Sequence, residues 1–298
     1  MFRFTVPAWL AIAIFASAGH SQDGYRIRIR KEPEAGNKHR IVELEKTSQK
    51  VLVTDADGNL VNKSDEQPDR SQTFEETILA KEPGKPATKL ARKYEKVLVR
   101  EKGKDVEIPL KGKTVTIERR DGKYAFKLDS GELSEAMLKF LADSFKDESD
   151  KVDDFNEVFF SKEPVKVGQT WERDPKVIFA EMFKGESAGI NIGEGKATGK
   201  LIEIYQKDGH PYGRIDISIS VPVQSIGKGK DIVVAKPNSQ FQIKLHFDAC
   251  IDGAQTAGKL TGSMQLSLSA DVPLPNGKTG VLKMSMSSTV EQTRTQLK

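Results

Sequence analysis

Ile215-Asp216-Ile217-Ser218-Ile219-Ser220-Val221 decides the fold class. Aliphatic side chains alternate with Asp and Ser, and successive residues of an extended strand point to opposite faces, so one face is greasy and the other wet. Three downstream segments repeat the scheme. Phe241, Ile243, Leu245 and Phe247 alternate with Gln242, Lys244 and His246. Leu260, Gly262, Met264, Leu266 and Leu268 alternate with Thr261, Ser263, Gln265 and Ser267, and Leu282, Met284, Met286 and Val290 continue the series near the end. The spacing predicts strands of about eight to ten residues, longer than the usual five or six, that pair as a meander.

Working back, period two recurs in Tyr25-Arg26-Ile27-Arg28-Ile29-Arg30 and at 40–44, 50–53, 73–79, 94–99, 106–110, 114–118 and 124–128. Asp57-Gly58 and Asp121-Gly122 are predicted hairpin turns, because Gly accepts a positive φ. The alternation breaks at Asp129. Leu133, Met137, Leu138, Leu141 and Phe145 then follow helical spacing, with Asp129 and Glu132 placed for a capping box. Asp147, Glu148, Asp150, Asp153 and Asp154 crowd an apolar-poor stretch that reads as a linker. Asp174-Pro175 opens a second short helix with Gly185 as its stop, and 185–199 reads as a loop. No fixed-period repeat is visible, which argues against a solenoid or propeller.

The predicted fold is therefore mainly β: antiparallel, curved, half-barrel-like sheets with one or two short helices per half. A leader occupies 1–21. A β-rich domain at 22–150 ends in a helix, and a second at 151–298 carries a short helix and the long-stranded meander. The leader is read from Arg3, the apolar run Val6 to Phe15 and the small residues Ala16-Ser17-Ala18, with cleavage after Ala18 or after Ser21. The run is short of the ~20 apolar residues that a spanning helix needs, so the expected product is exported, periplasmic or extracellular, and soluble. No Cys near the cleavage site offers a thiol for a lipid anchor. No later apolar run is long enough to cross a bilayer.

The 298 residues are 37% hydrophobic and 30% charged, a thin core for the surface, which suits sheets with one wet face. Against 47 basic and 43 acidic residues the net charge of +4 is small and excludes a case for nucleic acid. Cys250 is the only cysteine, so no intrachain disulfide exists and stability rests on a conventional core.

Candidate chemistry is sparse. His246, Asp248 and Cys250 fall at i, i+2 and i+4 of one strand and share a face, a weak metal candidate. A closed zinc site needs a fourth ligand, and His39 and His210 stand alone in sequence, so neither metal nor cofactor is expected. Asp55, Asp57, Asn59 and Glu66 match positions 1, 3, 5 and 12 of a calcium loop, but Leu60 stands where the turn demands Gly, and a hairpin explains them better. Gly193, Gly195 and Gly199 precede a strand and do not have phosphate-loop spacing. Neither a G-x-S-x-G elbow nor an H-E-x-x-H helix occurs, and no carboxylate pair stands out. No catalytic residue is assigned and no enzymatic activity is expected.

Glu163-Pro164-Val165-Lys166-Val167-Gly168-Gln169-Thr170-Trp171-Glu172 resembles the P-V-x-V-G-(D/Q)-x-W signature of a family of exported bacterial proteins of unknown function, common in planctomycete-like genomes. Gln169 stands where Asp is frequent in that signature. The family has no assigned catalytic residues, so none carries over. Pro164 and Gly168 bracket a tight turn that delivers Trp171 into the core, with a ligand platform as the functional alternative. The architecture is similar to the incomplete barrels of periplasmic lipoprotein carriers. These readings converge on an exported, non-enzymatic binding or envelope-associated protein. A lipid or other hydrophobic ligand is expected on a concave sheet face lined by Trp171, Phe241, Leu245, Phe247, Met264 and Met284. A partner in the envelope is the other expected contact; a structural or protein-interaction module, or a hydrolase, are the alternatives.

Overall fold

The first and last long strands lie side by side, which makes the two halves one sheet. The computed structural model describes residues 24–29, 34–82, 87–101, 103–120, 122–145, 155–182, 189–227 and 232–297. The leader at 1–21, the acidic linker from Asp147 to Asp154 and the helix stop at Gly185 lie outside these residues. The N-terminal half holds β1 (Lys38–Thr54), β2 (Leu60–Glu66), β3 (Asp69–Lys81), β4 (Ala87–Glu101), β5 (Lys104–Glu107), β6 (Thr114–Arg120), β7 (Lys123–Leu128) and α1 (Glu135–Phe145). Next come α2 (Phe155–Phe159), β8 (Thr170–Arg173), α3 (Pro175–Met182), β9 (Asn191–Ile192), β10 (Lys196–Lys207) and β11 (His210–Ile226). Then follow β12 (Val233–Val234), β13 (Gln240–Cys250), β14 (Gly258–Pro273) and β15 (Thr279–Leu297).

The sheet is antiparallel and not closed. Its order is β7-β6-β4-β3-β1-β15-β14-β13-β11-β10-β8, with β2, β5, β9 and β12 pairing at its margins. Pairing of β1 with β15 runs from Lys38 opposite Leu297 to Thr54 opposite Val281. The expected β-rich character and short helices hold, with α1 in the first half and α2 and α3 in the second.

One face can be followed strand by strand. Leu201 lies opposite Ile215, Ile215 opposite Phe247, Phe247 opposite Leu260, and Leu260 opposite Gln292. Gln292 then lies opposite Glu43, Glu43 opposite Gln72, and Gln72 opposite Val97. Both ends of this row are apolar and its middle is polar. In β4 the register shifts between the partners of Thr73 and Phe74, so that Tyr94 and Val97 are both buried although they are three apart. The bulge resets the alternation and keeps the core face apolar.

Two hydrophobic cores sit on this packed face. In the C-terminal one, Phe160 meets Phe247 edge-on at 5.7 Å and Phe179 of α3 meets Phe241 at 5.3 Å. In the N-terminal one, α1 supplies Met137, Phe140, Leu141 and Phe145 against Phe74, Tyr94 and Ile117. Ser134 caps α1: its Oγ accepts Met137 N–H at 3.4 Å and its carbonyl accepts Leu138 N–H at 2.9 Å. The expected Asp129/Glu132 box is displaced because Gly131, at φ +82°, turns the chain before the helix begins. Asp174 does cap α3, accepting Lys176 N–H at 2.8 Å.

Other expectations shift. Among the described residues, Tyr25 to Ile29 is no strand: Tyr25 and Arg28 make isolated bridges to Val165 and Asp252, and Ile27 is buried in the C-terminal core. Alternation alone does not tell a strand from a segment pinned at two points. Residues 196–199, read as loop, begin β10, where Gly199 admits the Trp171 ring, and Gly195 just before them lies against the Ser220 carbonyl. The 17-residue β11, 16-residue β14 and 19-residue β15 exceed the expected length. The five-residue α2 escaped notice, being little more than one turn.

Candidate functional site

Between the two cores, the packed face turns polar along a strip that crosses β4, β3, β1 and β15. Cross-strand pairing builds it. Glu43 is the hub of one ladder: Gln72 of β3 donates to one carboxylate oxygen, and Gln292 of β15 donates to the other at 2.6 Å. One turn of the pleat away, Arg92 of β4 donates from Nε to Glu76 of β3 at 2.8 Å, and His39 of β1 lies opposite Glu76 and is bonded to Thr256. Gln72, Glu76 and His39 are all buried.

Aromatic rings hold the cations in place. The Arg92 guanidinium sits 4.4 Å above Phe74 and 4.5 Å from the Phe145 ring, and that of Arg70 sits 4.3 Å from Phe140. A guanidinium sheds water more readily than an ammonium and stacks on ring faces, which suits it to this half-dry position. Arg70 also donates to Ser144, while its buried Nε has no hydrogen-bond partner among the described residues. Burial holds the Arg70 guanidinium below its ordinary pKa, and Glu43, Tyr94 and Glu45 work the other way.

Clefts flank the strip on both sides. One, of about 340 Å³, is lined by Ile29, Phe247, Leu260, Thr256, Gln292 and Arg294. The other, of about 570 Å³, lies beside α1 and is lined by Glu45, Thr47, Arg70, Val99 and Phe140 among others. Both volumes fall in the ~300–1,000 Å³ range of small-molecule sites. Toward β14 and β15 the aliphatic stripe loses its cover. Leu245, Leu260, Met264, Leu282, Met284 and Met286 are only partly buried, whereas Phe241, Ile243 and Leu268 are buried.

The expected site residues therefore divide. Trp171 is core: it is 7% exposed, and its indole N–H donates to the Phe159 carbonyl at 3.0 Å. The predicted turn delivers it, with Gly168 at φ +83° and Gln169 accepting Lys166 N–H at 2.8 Å. Phe241 is sealed under Phe179; Phe247 is buried but borders the smaller cleft. Leu245, Met264 and Met284 keep exposed surface and remain available.

His246, Asp248 and Cys250 do not form one cluster. His246 pairs with Asp216 at 2.5 Å, and Asp248 receives Tyr205 Oη–H and Arg214. Cys250 is buried because its end of the sheet is covered by the turn that follows: opposite it, Tyr212 donates to Gln255 at 2.9 Å. His210, solitary in sequence, meets Asp252 at 3.3 Å, a juxtaposition that spacing along one strand could not reveal. Asp55 accepts Asp57 and Asn59 N–H within its own hairpin turn, and Glu66 lies at the other end of β2 opposite Gln49. The calcium-loop residues do not converge. The polar strip itself went unread in the sequence, where Glu43, Gln72 and Gln292 look like wet-face residues.

No family model and no curated protein matches the chain. Among solved structures it is similar to OpdQ of Pseudomonas aeruginosa, with 8% identity over 88% of this chain and 98% of that one. The TM-score is 0.19. That likeness carries no argument about fold or function.

Proposed function

We propose that this protein is an exported, non-enzymatic binding protein that holds a hydrophobic or amphipathic guest on the packed face of its sheet. One observation carries the reading. The row of side chains that is sealed under α2 and α3 at β11 and β13 continues onto β14 and β15, where Leu266 and Leu268 are buried but Leu260, Met264, Leu282, Met284 and Met286 are partly exposed, with no described helix above them. An aliphatic sheet face needs a cover of helix, sheet or ligand, and methionine's flexible thioether adapts to guests of irregular shape. The polar strip at the end of this stripe offers Gln292, Arg294 and Thr256 to a head group. Export is supported by the leader read at 1–21.

The test is binding of a fluorescent long-chain acyl probe, with native mass spectrometry of protein purified from its own host. Met264→Asp with Met284→Asp should weaken probe binding tenfold or more. Loss of two partly buried contacts amounts to about 2 kcal/mol, and about 1.4 kcal/mol is a factor of ten. Stability should change little, because both positions are already partly wet. Unaltered affinity in the double variant, or a wild-type chain that neither binds probe nor carries lipid, would overturn the proposal.

A further inference from the structure

We infer that His210, Cys250 and Asp252 form a three-ligand site for zinc or a zinc-like divalent cation, on the sheet face opposite the aliphatic stripe. The register puts them together. His210 opens β11, Cys250 ends β13 two residues along the paired strand, and Asp252 follows in the turn, where Ile251 N–H donates to the Pro211 carbonyl at 2.9 Å. Tyr212, opposite Cys250, shares the face of Arg214 and Asp216, whereas Ile215 and Ile217 point into the core. The cluster is therefore separate from the proposed guest site.

The three ligand atoms lie within 4.8 Å of one another. Asp252 is the hinge: one oxygen is 2.8 Å from the Cys250 sulfur and the other 3.3 Å from His210 Nδ1. Ligands around a tetrahedral zinc, bonded at ~2.0 to 2.3 Å, stand roughly 3.3–3.7 Å apart. His210 and Asp252 already meet that spacing, and Cys250 and Asp252 reach it by opening less than about 1 Å. A thiol, an imidazole and a carboxylate make the mixed sulfur, nitrogen and oxygen set that suits zinc better than the hard cations magnesium or calcium.

The turn that follows β13 fixes the carboxylate beside the sulfur. Ala254 N–H holds Asp252 at 2.8 Å, and Gly253, at φ +72°, makes the turn that brings the carboxylate back over the strand. Binding a cation releases the Cys250 thiol proton to solvent and places the charge between three ligands that already face each other. His210 and Asp252 side chains are 33% and 38% exposed, so a cation enters from solvent and a water completes the coordination.

Cobalt is the probe. The full chain, stripped of metal with a chelator and kept reduced, is titrated with Co²⁺ and followed by absorbance. One equivalent should bring up a near-ultraviolet thiolate-to-cobalt band and the intense visible bands of four-coordinate Co²⁺. Cys250→Ser should abolish the near-ultraviolet band, and His210→Gln and Asp252→Asn should each weaken binding about tenfold or more. His246→Gln, on the same face but paired with Asp216, should leave the titration unchanged. If Cys250→Ser fails to fold, the two partly exposed positions still decide. A wild-type chain without the band at stoichiometric Co²⁺, or a band that His210→Gln and Asp252→Asn leave at full affinity, overturns the site.

Discussion

Glu76→Gln should cost the protein about 3–5 kcal/mol of stability, the usual consequence of leaving a buried charge without its partner. The Arg92 and Glu76 side chains are 13% and 8% exposed and 2.8 Å apart. With glutamine in place, the Arg92 guanidinium remains wedged between Phe74 and Phe145 without the carboxylate bonded to it, and only the more distant Glu43 charge offsets its lost hydration. Urea unfolding measures the loss. The companion is the double variant Glu76→Leu with Arg92→Met, in which both charges leave together and a methionine thioether takes over the contact with two rings. It should recover most of the stability, since replacing a buried pair by apolar residues is often neutral. A single variant that loses less than about 1 kcal/mol, or a double variant no better than the single, would show that the pair does not bear on folding.

The same strip sets the acid sensitivity. Burial pushes the Glu76 carboxyl toward its neutral form, but Arg92, Arg294, the hydrogen bond from Arg92 and His39 together hold its pKa below the ordinary 4.5. A depressed acid contributes stability that is complete above its unfolded pKa and is lost as pH falls through the folded value. His39 is depressed too, first by burial and then by Arg294, against the opposing pull of Glu76. Its unfolded imidazole takes up a proton near pH 6.5 while the folded one resists. Here too the unfolded state binds more protons, so stability falls with pH. Melting temperature should therefore begin to drop below about pH 6.5 and drop further below about pH 4.5. Thermal scans of His39→Gln should lose the upper part of that decline. Unchanged acid sensitivity between pH 6.5 and 5 in that variant would remove His39 from the account.

The second large effect is at Gly199, whose side-chain position is taken by a ring. A Cβ built there would fall 2.1 Å from Trp171 Cε2 and 2.2 Å from Cζ2, well inside any real contact. Trp171 lies opposite Gly199 on β8, so the indole is clamped between the β10 backbone and the Phe159 carbonyl. Gly199→Val must expel it. The expected cost is that of Trp171→Ala, about 3–5 kcal/mol, with ~1–3 kcal/mol more for strain. In a chain carrying Trp9→Phe, the emission of Trp171 should shift to the red as the indole meets water. In a Trp171→Ala background the same Gly199→Val should cost far less, because the space is then empty. Additive costs in that pair would argue against the clamp.

How much of this was legible in the sequence depends on the distance between the partners. The turn that Pro164 and Gly168 announce places Trp171 in the core a few residues later, and its burial there takes it out of the ligand-lining set in which the sequence reading also put it. Leu245, Met264 and Met284 were placed on one greasy face by period two alone, and the register agrees. Phe241 shared that pattern, yet Phe179 covers it, and alternation says which face a side chain takes without saying what lies above it. His246, Asp248 and Cys250 show the same limit from the other side. Their shared face was legible, but partners from β11 and β10 claim the first two, and a following turn buries the third.

Local chemistry by itself determined the extended ribbons, the Gly58 hairpin, the helix that ends in Phe145 and the cap at Asp174, since each rests on contacts within about ten residues. Only the tertiary structure decided that β1 lies against β15, and with it every device that spans the chain. Glu43 bridges Gln72 and Gln292, His39 lies across from Glu76, and His210 meets Cys250 and Asp252. The physical reason is that alternation fixes a side chain's face but not its neighbour: which strand lies alongside, and at what register, is settled by the packing of two cores at once.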